Sequence, residues 1–176
     1  MTGLSEEAKR ELAWTGPDPS GRIYVLRAGD QEIGSLEFED QGGSHATGRL
    51  AGCEWIFERS GVLHPHVKIR PADSKEPVAE LTLRFTGSGV VSFAGGARYS
   101  WRPGNVLTTR WCLRREGEDK LICFLQEGGL SARGAKVVPC VDCAALPEFP
   151  VLVLLGWYLR VLMSHRLSDA AVSCEQ

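Results

Sequence analysis

The chain predicts a mainly β protein, a closed antiparallel β-barrel of about 10-12 strands wrapped around a buried hydrophobic C-terminal α-helix. Three observations predict it. The stretch Phe149 to Met163, wound as a helix, is apolar on every side, with only Tyr158 and Arg160 as polar interruptions, so it must be enclosed or lie in lipid. From Gly21 to Pro139, short runs rich in β-branched and aromatic residues alternate with breaks such as Gly29-Asp30, Gly42-Gly43, Gly95-Gly96 and Gly117, the punctuation of consecutive antiparallel strands. Those runs also alternate with a period of two, so that each strand has one dry and one wet face. A sheet with one dry face and a helix dry all round satisfy each other when the sheet closes around the helix.

Residues Met1 to Trp14 carry Leu4, Ala8 and Leu12 at four-residue steps, which predicts a short amphipathic helix in an N-terminal segment, 1-21, ended by Pro17 and Pro19. One barrel domain, 22-168, follows. Its inward positions are Gly34, Leu36 and Phe38; Cys53, Trp55 and Phe57; Val67 and Ile69; Ala79, Leu81, Leu83 and Phe85; Ala97, Tyr99 and Trp101; and Thr109, Trp111 and Leu113. Pro147 and Pro150 fit only the first turn, which sets the central helix at 148-166 and leaves 169-176 as a flexible tail. Gly156 in mid-helix costs about 1 kcal/mol relative to alanine, and close approach of the barrel wall accounts for it.

A transmembrane span competes for the same stretch. A bilayer core asks for roughly 20 apolar residues, and the run of 15 here already contains Arg160. The preceding sheet, whose dry face otherwise lacks a partner, favours burial. Arg160 then snorkels to the barrel mouth or pairs with a carboxylate of the wall.

The length, 176 residues, suits one domain, and a formal net charge of -2 argues against a generic nucleic-acid binder. The polar start carries no secretory signal, which predicts a cytoplasmic protein whose six cysteines are reduced thiols rather than a disulfide framework.

The strand series from Arg22 through Pro139, the Tyr99-Ser-Trp101-Arg102 strand after the Gly95-Gly96 turn, and Leu154-Leu-Gly-Trp-Tyr-Leu159 together resemble the tubby C-terminal-like superfamily, which includes the LURP-one-related and phospholipid scramblase groups. The resemblance is architectural and spans most of the chain. It implies a barrel around a central helix and an outer basic surface for anionic lipid. The chain is shorter than the eukaryotic tubby pattern, and it lacks the cysteine cluster and calcium-type acidic loop associated with scramblases.

Charge along the chain is uneven. From Ser60 to Arg115 there are 9 Lys and Arg against 3 Asp and Glu, while both flanks are acidic. Strand parity points Lys68, Arg70, Arg84, Arg98, Arg102, Arg110 and Arg114 outward, a patch able to attract phosphate or anionic headgroups. The competing account is a solvated face paired with Glu37, Glu54 and Glu80 across strands. Cys140-Val-Asp-Cys143 has redox spacing before a helix, though the surrounding βαβ pattern of a thioredoxin is absent. His64 and His66 share a strand face and would need a third ligand such as His45 to hold a metal. Gly87-Ser-Gly lacks the third glycine and the helix of a dinucleotide loop. The expectation is a binding or scaffold module without cofactor that engages an anionic phospholipid surface or a protein partner through the basic strands. Its alternative is a scramblase-like, lipid-handling protein with 149-163 in the bilayer.

Overall fold

Alternating side chains and tight glycine turns give twelve strands, each antiparallel to the next. The computed structural model describes residues 11–40, 42–61, 64–84, 86–104, 109–118, 121–126, 133–140 and 142–173. The strands are Leu12–Thr15 (β1), Ile23–Ala28 (β2), Gln31–Phe38 (β3), His45–Leu50 (β4), Cys53–Ser60 (β5), His66–Pro71 (β6), Ala79–Leu83 (β7), Gly89–Phe93 (β8), Arg98–Pro103 (β9), Arg110–Arg115 (β10), Leu121–Gln126 (β11) and Gly134–Pro139 (β12). Each pairs with its chain neighbours, and β1 pairs with β12, Leu12 opposite Val137 and Trp14 opposite Ala135. The sheet is thereby a closed barrel with no free edge. A 3-10 turn at Cys143–Ala145 leads into one long helix, Phe149–Ser173 (α1).

Phe149 and every residue from Val151 to Leu162 are buried, and they form one cluster with the inward residues of the strands. Aromatic contacts fix the fit. Trp157 stacks on Trp14 of β1 at 5.8 Å and meets Tyr24 of β2 edge-on at 5.6 Å. Tyr158 stacks on Phe38 of β3 at 5.6 Å and on Phe57 of β5 at 5.2 Å, and its hydroxyl donates to the Gly43 carbonyl at 2.7 Å. Gly43 has φ +64°, and a Cβ there would lie 2.3 Å from Leu162, so both its conformation and its neighbour select glycine. On the opposite wall, a Cβ at Gly156 would lie 2.1 Å from Cζ of Phe124 in β11. Burial pushes the Tyr158 hydroxyl pKa up.

The structure departs from the sequence reading in several places. The expected N-terminal helix falls largely on residues outside those described. Its described end, Leu12–Thr15, is strand β1, in which Leu12 and Trp14 are buried while Ala13 and Thr15 are not. The period at this end is therefore two. The helix expected at 148-166 runs on to Ser173, so the expected tail begins helical. Phe57 is buried as expected, but Trp55 is only half-buried and Cys53 is exposed. Strand β5 starts there directly out of a turn, with Ala51 at φ 57°. The cysteines are not all reduced: Cys140 and Cys143 form a disulfide. Three residues apart in a turn, they can meet without any other part of the chain moving.

Arg160 neither reaches solvent nor meets a carboxylate among the described residues. It is 6 % exposed, with its guanidinium 5.7 Å from the ring centroid of Trp111, and burial lowers its pKa. Removing a buried cation that meets no counter-ion among the described residues relieves its desolvation cost and forfeits one cation–π contact. Arg160→Leu is expected to leave stability within about 1 kcal/mol of the parent or to raise it. Urea unfolding measures this, and a loss above about 3 kcal/mol would show an indispensable partner for the guanidinium.

Among the described residues, no helix is long and apolar enough to cross a membrane.

Candidate functional site

The basic residues read from the sequence fall into two groups. On β6, Lys68 stands in register between Glu58 and Glu80. Arg70 is half-buried, bonded to Glu58 at 3.1 Å and to the Ser74 carbonyl at 3.1 Å. These two cations are matched by acids, as the solvated-face account expects. Arg84 lies just past β7, in the turn whose backbone bonds Arg84 to Ser88, and is exposed.

The second group lies on the outer face of β9 and β10. Inward-pointing Trp101, Trp111 and Leu113 are buried, which turns Arg98, Ser100 and Arg102 outward on β9 and Arg110, Cys112 and Arg114 outward on β10. Ser100 is opposite Arg114 and Arg102 is opposite Cys112. Arg102 is thus the diagonal neighbour of both Arg110 and Arg114, a spacing of about 7–8 Å that long side chains bridge. Arg98 is drawn away to Glu116 at 3.7 Å. Arg102 is exposed and has no ion-pair partner among the described residues.

An open cleft of about 310 Å³ runs along this hairpin, lined by Ser100, Arg102, Arg114, Arg115, Glu116, Gly117 and Glu118. Arg115 was not singled out in the sequence because its parity is opposite to that of Arg114. At the barrel end it swings over Tyr99, 6.0 Å from the ring centroid, and bonds Glu118 at 3.1 Å. Burial, with the Glu148 carboxylate adding to it, pushes Tyr99 up to about 12. Three arginines and two glutamates line the cleft together, a surface able to accept a phosphate-bearing group against Arg102 and Arg114.

The hairpin carries a second feature that sequence reading missed. Cys112 and Cys123 are directly opposite each other on β10 and β11, with their Sγ atoms 2.8 Å apart, and Nη2 of Arg110 lies 3.2 Å from Cys123 Sγ. A hydrogen bond from the Cys112 thiol, helped by the Arg110 guanidinium, lowers the Cys123 pKa, while the shared proton and burial raise that of Cys112. The signal was present: folding the chain at Gly117 brings positions 112 and 123 together.

The histidines do not assemble a metal site. His45 is on β4, while His66 on β6 is 3.3 Å from the Thr82 hydroxyl, and no group of three metal-ligating side chains occurs among the described residues. The Cys140–Cys143 disulfide ties the residue just past β12 to the first residue of the 3-10 turn, with Cys143 buried. Compared with family models, with curated proteins and with solved structures, the chain gives no match.

Proposed function

We propose that the protein is a binding module of tubby-like architecture, a barrel closed around α1, which engages an anionic phospholipid surface through the outer face of β9 and β10. The observation that carries this reading is Arg102, an exposed guanidinium with no counter-ion among the described residues, set diagonally between Arg110 and Arg114 beside an open cleft. Paired surface cations such as Arg70 have little left to offer a ligand, whereas an unmatched one can exchange water for a headgroup phosphate. The aromatic packing of α1 against the wall directs recognition to the outside of the barrel rather than to its interior. Contact is peripheral, with α1 remaining inside its own sheet.

Vesicle sedimentation tests this. Binding is expected to rise with the fraction of phosphatidylserine in phosphatidylcholine vesicles and to fall with salt as screening shortens. At about 1 kcal/mol per basic residue near an anionic surface, the double reversal Arg102→Glu/Arg114→Glu should weaken binding by at least about tenfold. Lys68→Glu, at a position already flanked by two glutamates, should change it far less. Sedimentation indifferent to vesicle charge, or a double reversal no weaker than Lys68→Glu, would discard the reading.

A further inference from the structure

Two cysteines on neighbouring antiparallel strands meet only when they are in direct register, and Cys112 and Cys123 are. Directly opposed residues have Cα atoms about 4.5–5.5 Å apart, inside the range of about 4.4–6.8 Å that a disulfide spans. The Sγ atoms, at 2.8 Å, are within about an ångström of the roughly 2.05 Å of a covalent bond, so closing it needs no backbone movement. The pair points outward, since Trp111, Leu113, Ile122 and Phe124 on the same strands are in the core. Yet Cys112 is only 9 % and Cys123 only 3 % exposed.

The cover is in part the side chain of Arg110. A Cβ at Gly104 would lie 2.9 Å from Arg110 Cγ and 3.1 Å from Cys112 Sγ, so the arginine lies across the glycine and over the sulfurs. Arg110 is itself exposed, so this part of the cover is a surface side chain. Among the described residues, the charged side chains in register around the pair are Arg102 on β9, Arg110 and Arg114 on β10, and Lys136 on β12, the last ion-paired with Glu11 at 2.6 Å. This ring of cations favours a thiolate and opposes a bound metal cation.

We propose that Cys112 and Cys123 are a redox-active dithiol that reduces hydroperoxides, with Cys123 as the nucleophile and Cys112 as the resolving thiol. The Cys123 thiolate attacks one peroxide oxygen and breaks the O–O bond, leaving a sulfenic acid on Cys123 and a hydroxide that takes up a proton as water. Cys112 then attacks Cys123 Sγ, and the sulfenic oxygen leaves as a second water with the proton from Cys112. Two electrons pass from the two sulfurs to the peroxide. The product is a cross-strand disulfide, which a small dithiol reduces again.

The test is hydrogen peroxide treatment of the full chain, followed by alkylation, tryptic digestion and mass spectrometry. The sequence places Cys112 in the peptide Trp111–Arg114, Cys123 in Leu121–Arg133 and both Cys140 and Cys143 in Val137–Arg160, so the new bond is separable from the existing one. The expected result is a loss of two hydrogens with Trp111–Arg114 linked to Leu121–Arg133, reversed by dithiothreitol. Cys112→Ala should stop the reaction at a sulfenic acid on Cys123, trapped by dimedone. The reaction's pH midpoint should lie below the ordinary thiol value of about 8.5 and move up towards it in Arg110→Gln. A folded protein that gives no linked peptide, or a pH midpoint unmoved in Arg110→Gln, would overturn the assignment.

Discussion

Trp157→Ala is expected to lower the unfolding free energy by about 3 to 5 kcal/mol, the largest effect of any single truncation considered for this chain. Trp157 is wholly buried, stacked on Trp14 and edge-on to Tyr24, so removing the indole strips contacts from the first two strands at once. Those strands include β1, which closes the ring against β12. A domain of this size is held by only about 5–15 kcal/mol in all, so the variant should unfold at much lower urea or fail to accumulate. Trp157→Phe, which keeps an aromatic ring in the stack, should recover a large part of the loss. Denaturant unfolding followed by near-ultraviolet circular dichroism measures both, and a loss below about 1 kcal/mol for the alanine variant would mean that the indole is not enclosed.

Gly156→Ala carries the second large effect, with a sign opposite to ordinary helix propensity. In an exposed helix the change should stabilise by about 1 kcal/mol. Here the added methyl would fall 2.1 Å from Cζ and 2.3 Å from Cε2 of Phe124, a ring held edge-on against Trp101 at 5.7 Å. Such overpacking typically costs about 1–3 kcal/mol, and a net destabilisation of that order is expected by urea titration. Phe124→Leu in the same chain should restore most of the loss, because the offending atoms are those of the ring edge. If Gly156→Ala stabilises, or if the second change adds to the damage, then α1 and β11 do not meet at this point.

The barrel and its one C-terminal helix were legible because both rest on signals that do not depend on tertiary detail. Period-two patterning gave the inward faces, as at Leu81, Leu83, Tyr99 and Trp101, and the run from Val151 to Leu162 had no wet side. The N-terminal strand was not legible, because β1 has only four residues, too few to separate a period of two from a spacing of four. Outward arginines were read correctly at Arg102, Arg110 and Arg114, since parity alone fixes direction. Which of them would be matched by acids was not, since that depends on register between strands. Arg70 finds Glu58 across β5 and β6, whereas Arg102 looks across at Cys112. The dithiol escaped notice for a related reason: each cysteine was weighed against its sequence neighbours, which favoured Cys140 and Cys143, and not against the residue facing it across the hairpin.

Closure by the first and last strands has a consequence for biosynthesis. β1 leaves the ribosome before β12 and α1, and can find neither until both have been made. Throughout that interval the nascent sheet carries two open margins and an uncovered greasy surface, each an invitation to the wrong partner. Translation speed across β12 and α1, and the holdases present while they are read, should therefore govern the yield of folded protein as strongly as the final fold's own free energy.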